Sequence, residues 1–138
     1  MIRKMKPADL NAIMEIWLSS NLDAHSFVGR QYWQEQLPAV RAAIQDAEVY
    51  CYIATNDTIA GFIGLTGDYL AGLLFVASKY RQQGISSQLL VFVQGYHQQL
   101  TLDSYPQNQQ VVAFYHRHSF VTSQQDATNV HMTWTAPE

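Results

Sequence analysis

The apolar positions of this chain change period twice, and those changes divide it into elements. Ile2 to Met5 reads as a short strand; Pro7 then suits the first turn of a helix, and Asp9 places negative charge at its positive end. Leu10, Ile13, Met14, Trp17 and Leu18 recur at i, i+3, i+4, i+7 and i+8, one stripe of an amphipathic helix. A second helical stretch carries Trp33, Leu37, Val40 and Ile44, with Pro38 expected to break or kink it. From Val49 the pattern becomes that of strands. Val49 to Thr55 is rich in β-branched and aromatic residues, Asn56-Asp57 reads as a turn, and Ile59 to Thr66 returns. Tyr69 to Val76 is a third run, in which Gly72 reads as a bulge.

The second half alternates. A polar run from Ser78 to Ser87 leads into a helix on which Ile85, Leu89, Val93 and then Tyr96 are spaced to pack on a sheet. Leu100 to Tyr105 is again a strand, Pro106-Gln107 ends it, and Asn108 is expected to cap a helix reaching about His118. Phe120 to Gln124 and Val130 to Thr135 close the chain as a strand pair. Two helices, a meander and then strand–helix–strand–helix–strand predict an α/β class, a mixed sheet flanked by helices.

Composition narrows the reading. A chain of 138 residues suits one domain, residues 1–138, and can bury a core without covalent staples. Hydrophobic residues make up 48% and charged residues 14%, which argues against disorder. Eight Lys and Arg against eleven Asp and Glu leave a net charge of −3, so nucleic acid is not an expected partner. Cys51, the single cysteine, cannot form an intramolecular disulfide and favours a reducing compartment. Lying mid-strand without a basic neighbour, it reads as a buried structural thiol. The N-terminus is basic but lacks the apolar core of a signal peptide, and no run of about eighteen apolar residues occurs. A cytoplasmic protein with no membrane partner is expected.

Two segments carry candidate chemistry. Leu73-Leu74-Phe75-Val76 runs into Arg81-Gln82-Gln83-Gly84-Ile85-Ser86, so a strand enters a small-residue loop and then a helix. Such a turn can point free backbone N–H groups at an anion, usually a phosphate, or be an ordinary strand–helix connection. The Lys of a P-loop and the G-x-G-x-x-G of a dinucleotide fold are both missing. In the second segment, Asp103 and Tyr105 share one face of a strand. Asn108 and Tyr115 lie seven apart on one helix face, about 10 Å along the axis. Tyr115 is thus either core or a phenol presented to the groove. His116 and His118 diverge on their helix and make a poor metal chelate, and no G-x-S-x-G elbow is present.

Together the two segments resemble motifs of the GCN5-related N-acetyltransferase (GNAT) superfamily. Arg81-Gln82-Gln83-Gly84-Ile85-Ser86 is similar to its Arg/Gln-x-x-Gly-x-Gly/Ala signature. Asn108 through Ala113-Phe114-Tyr115 to Ser119-Phe120 is similar to its Asn-x-x-Ala-x-x-Phe-Tyr-x-x-x-Gly-Phe feature. Ser86 and Ser119 stand where that family has a small residue and glycine, and Val111 replaces alanine. The element order also agrees from Ile2 to Trp134, and His25-Ser26-Phe27 ahead of Tyr32-Trp33 is similar to small bacterial acetyltransferases.

The resemblance implies a GNAT fold, mostly antiparallel with about four helices, and an acetyl-CoA-dependent N-acetyltransferase that needs no metal. The backbone from Gln82 through Ile85 to Ser87 would hold the pyrophosphate, chiefly at Gln83, Gly84, Ser86 and Ser87, with Arg81 nearby. Pantetheine would lie along Leu74, Phe75 and Val76, and its thioester would enter a gap beside the Leu100–Tyr105 strand, near Asn108. An N–H near Leu74 or Phe75 would face the acetyl oxygen, and Tyr115 would protonate the departing thiolate. Asp103 sits where some protein N-terminal acetyltransferases of this fold carry a glutamate base, and Asp68 is a further pocket-side candidate. His25, Phe27 and Tyr105 would touch an amine acceptor, either a protein lysine or N-terminus or a small amine. A monomer or homodimer is expected. The alternative is a coenzyme A-binding sensor or interaction module that does not catalyse.

Overall fold

The computed structural model describes residues 1–24 and 29–138. Strand β1 (Ile2–Lys4) leads through a 3-10 turn at Pro7–Asp9 into helix α1 (Leu10–Ala24), and helix α2 (Arg30–Asp46) follows. Strands β2 (Glu48–Ile53), β3 (Ile59–Thr66) and β4 (Tyr69–Val76) form an antiparallel meander. A second 3-10 turn, Ser78–Tyr80, precedes helix α3 (Ile85–Gln94). Strand β5 (Gln99–Ser104), helix α4 (Gln109–Arg117) and strands β6 (Val121–Gln125) and β7 (Val130–Thr135) complete the chain. The seven strands make one sheet in the order β1-β2-β3-β4-β5-β7-β6, in which β4–β5 is the parallel pair.

Both faces of the sheet centre are covered. On one side Ile13, Met14 and Trp17 of α1 and Ile44 of α2 bury against Val49, Cys51, Phe62 and Leu73. Trp17 and Trp33 meet edge to face at 5.9 Å and join α1 to α2. On the other side Ile85, Leu89, Leu90 and Val93 of α3 and Tyr115 of α4 pack on Ile63, Leu65, Leu100 and Leu102. Strand β3, with six successive buried residues, therefore reads as a continuous apolar run rather than an alternation. The same buried environment holds the thiol of Cys51 and pushes it up to about 11.

Three local expectations change. Pro38 does not end α2, which continues to Asp46. One missing N–H costs that helix less than the apolar face of Leu37, Val40 and Ile44 gains against the sheet side. Tyr96 lies beyond the end of α3 and is 69% exposed, stacking its ring on Tyr50 instead of entering the core. Asn108 occupies the N-cap position of α4, but its side chain makes no capping hydrogen bond. Its carbonyl accepts from the N–H of Val112 instead. Among the described residues no helix is long and apolar enough to cross a membrane.

Candidate active site

The site begins where two strands part. Strands β4 and β5 pair at Tyr69–Thr101 and Leu70–Leu102, and there the pairing stops. Immediately past Leu70, the three positions 71–73 of β4 face the single residue Gly64 of β3. Gly72, at φ +71°, provides the left-handed turn that this bulge needs. Past the bulge, β4 keeps its partner β3, with Ile63 opposite Leu74 and Gly61 opposite Val76, but has left β5. The Ala77 N–H donates to the Ala60 carbonyl at 2.8 Å. By antiparallel alternation Phe75 also faces β3, whereas the backbone groups of Leu74 and Val76 turn toward the gap. Of the two residues expected to offer an N–H to the gap, Leu74 does so and Phe75 does not.

A donor nest lies at the top of that gap. Gln82 and Gly84 take φ values of +64° and +77°, which coil the chain just before α3. The Gln88 N–H bonds the Gly84 carbonyl at 3.0 Å, so the amides of Ile85, Ser86 and Ser87 precede the helical ladder and have no acceptor within it. Three amides and the positive end of α3 thus converge on one spot. A cleft of about 190 Å3 opens there between Val76, Gln82, Gly84, Ser86 and Phe114. Ser87 Oγ lies 3.0 Å from His118 Nε2. Burial, reinforced by the charge of Arg117, holds the His118 imidazole below its ordinary value.

Tyr115 faces the same gap. With Leu74, Gln82, Ser86 and Gln110 it lines a cleft of about 510 Å3. Its ring is 9% exposed, seated edge-on against Phe114 and Phe120, and its hydroxyl makes no hydrogen bond to a described residue. Burial pushes the phenol up to about 12, which keeps it protonated. On the α1 side a cleft of about 370 Å3 runs between Ser20, Asp23, Leu74, Phe75 and Arg81. Arg81 borders both this cleft and the nest. Its guanidinium group bonds the Val76 carbonyl at 3.2 Å and Ser20 Oγ at 3.4 Å, and lies 3.7 Å from Asp23. The side chain braces α1 against β4, and the anion donors of the nest are backbone amides.

Asp103 points the other way from Tyr115. Leu102 belongs to the core beneath α3 and α4, so its neighbour Asp103 emerges on the opposite face of the sheet. The carboxylate accepts hydrogen bonds from Asn129 Nδ2 at 2.8 Å and Tyr69 Oη at 2.9 Å. His131 Nδ1 lies at 2.9 Å. Asn129 and His131, and then Tyr69, hold the carboxyl below the usual range for an aspartate.

Of the remaining sequence candidates, Tyr105 is 68% exposed and borders none of these clefts. Asp68 sits at the far end of β4 and bonds His97 at 2.9 Å, away from the gap. His25 and Phe27 lie outside the described residues. Sequence reasoning missed Ser20, Asp23, Tyr69, Asn129, His118 and His131, which have no motif. They join the site only through contacts distant in sequence, such as Asp103 opposite His131 and Arg81 against Ser20.

Comparisons with known proteins bear on the fold and the family. The profile of the acetyltransferase (GNAT) domain matches residues 21–136. The chain is 32% identical over 121 residues to the peptidyl-lysine N-acetyltransferase YiaC of Escherichia coli, covering 87% of this chain and 82% of that protein. It is 28% identical to YjaB of Salmonella typhimurium, another peptidyl-lysine N-acetyltransferase, over 86% of this chain and 81% of that one. Among solved structures, the PaiA N-acetyltransferase of Thermoplasma acidophilum in complex with coenzyme A superposes with a TM-score of 0.82. Its identity is 18%, with 99% of this chain and 98% of that one covered. The domain profile spans most of the chain and YiaC is 32% identical to it: the chain belongs to the GNAT acetyltransferase family and is an N-acetyltransferase.

Proposed function

We propose that this protein transfers the acetyl group of acetyl-CoA to the side-chain amine of a lysine in a protein or peptide, and that it works in the cytoplasm. The observation that carries the reading is the parting of β4 from β5 directly below the nest of Ile85, Ser86 and Ser87 amides. The lysine acceptor is supported by the names of the curated relatives.

The residues present fit coenzyme A. A diphosphate needs several convergent donors and close backbone approach. The amides of Ile85, Ser86 and Ser87 supply the first, and Gly84 the second, since a Cβ there would project into open space and its φ of +77° disfavours any L side chain. The Leu74 backbone and the Val76 N–H, which face the gap, offer strand-like hydrogen bonding to the amides of an extended arm. Bound there, acetyl-CoA supplies an acetyl group activated as a thioester.

The chain's own groups then divide the work. The Leu74 N–H, facing the gap, stabilises negative charge as it develops on the acetyl oxygen. Tyr115, on the α4 side, offers its proton to the sulfur. In water a phenol is a weaker acid than a thiol, but sulfur leaving inside the same dry cleft is also deprived of solvation and binds a proton more tightly. The amine approaches from the face that bears Asp103, with α1 and its Ser20 and Asp23 on one flank. Acid and acceptor are thereby kept on opposite faces of β5.

Incubation with acetyl-CoA and a set of lysine-containing peptides tests this reading. Mass spectrometry should find one acetyl group on the lysine side chain, with stoichiometric release of free thiol. Coenzyme A binding with no transfer to any peptide would overturn it in favour of a sensor.

A further inference from the structure

A lysine side chain arrives as an ammonium and must lose a proton before it can attack, so something on the acceptor face has to take it. Asp103 lies one residue past the last β4–β5 pair, on the face of the sheet opposite α3 and α4. Three of its four lone pairs are already taken. Asn129 and His131 share Oδ1, and Tyr69 holds Oδ2. A carboxylate so well solvated by donors binds a further proton weakly.

The arrangement puts the basic atom elsewhere. His131 stands directly opposite Asp103 in the β5–β7 register, and its Nδ1 is committed to that carboxylate at 2.9 Å. A carboxylate accepts only, so Nδ1 carries the hydrogen and Nε2 carries the lone pair. Nε2 makes no hydrogen bond to a described residue, and the side chain is half-buried on the face of the sheet opposite α3 and α4. A histidine held in one tautomer by a carboxylate, with its second nitrogen free, is the arrangement by which a general base is oriented.

We infer that His131 Nε2 accepts the proton of the incoming lysine ammonium and that Asp103 is the positioning residue that fixes the imidazole. The inference rests on the lysine reading above. In the step, one N–H bond of the ammonium breaks and its proton joins His131, giving a neutral amine and an imidazolium that discharges to solvent. The amine nitrogen then bonds the acetyl carbon as the C–S bond breaks. The sulfur takes the Tyr115 proton, and the second proton shed by nitrogen restores the phenol. One proton is released per acetyl transferred, and charge balances throughout.

The titratable groups around His131 are few. Asp103 faces it from β5, and Tyr69 of β4 reaches it through Asp103. Asp126 lies in the preceding turn and bonds the Asn129 N–H. Gln124, its partner on β6, is uncharged.

The test is kcat/KM against pH for the whole protein with acetyl-CoA and a lysine peptide, in wild type, His131→Gln and Asp103→Asn. The wild type should show an inflection separate from the one the lysine itself produces near pH 10. His131→Gln should remove that inflection and lower kcat roughly 100-fold, with coenzyme A affinity and melting temperature little changed. Asp103→Asn keeps the imidazole but loses the negative charge that stabilises its protonated form, so the inflection should move to lower pH. That variant carries the test if the glutamine does not fold. A wild-type inflection persisting in His131→Gln, or unmoved in Asp103→Asn, overturns the inference while leaving lysine acetylation intact. Failure of the wild type on every lysine peptide overturns the acceptor reading and this inference with it.

Discussion

Leu70 of β4 lies opposite Leu102 of β5, and this is the last pair that the two parallel strands make. Both side chains are buried in the core beneath α3 and α4, at 2% and 3% exposure, so the junction is anchored where the strands separate. The bulge around Gly72 begins one residue later and turns β4 out of the ladder. The gap that results is thus a product of packing on one side of Leu70 and backbone conformation on the other. It leaves main-chain groups of Leu74 and Val76 unpaired with β5, which is what a substrate arm with amides of its own requires.

Tyr115→Phe removes one hydroxyl from a ring already packed by Phe114 and Phe120, so folding should be unaffected. If the phenol protonates the leaving sulfur, kcat should fall about tenfold or more while coenzyme A affinity is unchanged. Steady-state kinetics together with calorimetric titration of coenzyme A distinguish this from a packing role, in which stability would move and kcat would not.

Gly84→Val places a branched side chain at φ +77°. A β-branched residue is strained there by about 1–2 kcal/mol, and the loop should relieve that strain by leaving the conformation that aims the amides. Coenzyme A affinity should drop at least tenfold in calorimetry, while far-ultraviolet dichroism of the free protein remains that of the wild type.

Gly61→Ala tests the β3–β4 contact. A Cβ at this position would lie 2.8 Å from the Phe75 carbonyl oxygen and 3.3 Å from Val76 Cα, both backbone atoms that cannot step aside without moving β4. Destabilisation of about 1–3 kcal/mol is expected in urea melts, with weaker coenzyme A binding because the displaced strand carries half of the site.

Asp9→Asn tests an ion pair remote from the site. Asp9 is bonded by Arg3 at 2.7 Å and by the Lys6 N–H at 2.7 Å, and these donors hold its carboxyl below the ordinary value. A carboxyl with a lowered folded-state pKa stabilises the fold above its unfolded value and loses that contribution as pH falls through the folded one. The variant should be less stable by about 1 kcal/mol at pH 7. Chemical denaturation at a series of pH values should show the difference shrinking below about pH 4, the usual aspartate range.

Much of the fold was legible because its periodicities are local. The bounds of β3 and β4 fall where the apolar runs begin and end, and Gly72 marks the bulge as expected. Pro38 misled because tertiary burial of its helix outweighs one absent N–H. Tyr96 misled because spacing says which side of a helix a residue takes but not where the helix stops. The nest and Tyr115 were legible as motifs on contiguous residues. The cluster of Tyr69, Asp103, Asn129 and His131 was not, since it is assembled by register across β4, β5 and β7 and no spacing along the chain encodes it. Arg81 illustrates the same limit. Its position in the motif was plain, yet the direction of its side chain depends on Ser20 and Asp23, some sixty residues earlier.

The most direct measurement is a titration of the isotope-labelled protein with coenzyme A, followed by amide resonances. The amides of Ile85, Ser86 and Ser87, with those of Leu74 and Val76 facing the gap, should shift most, and Phe75, paired to β3, should move much less. Saturable binding that leaves the start of α3 and these two β4 amides unmoved would contradict the account.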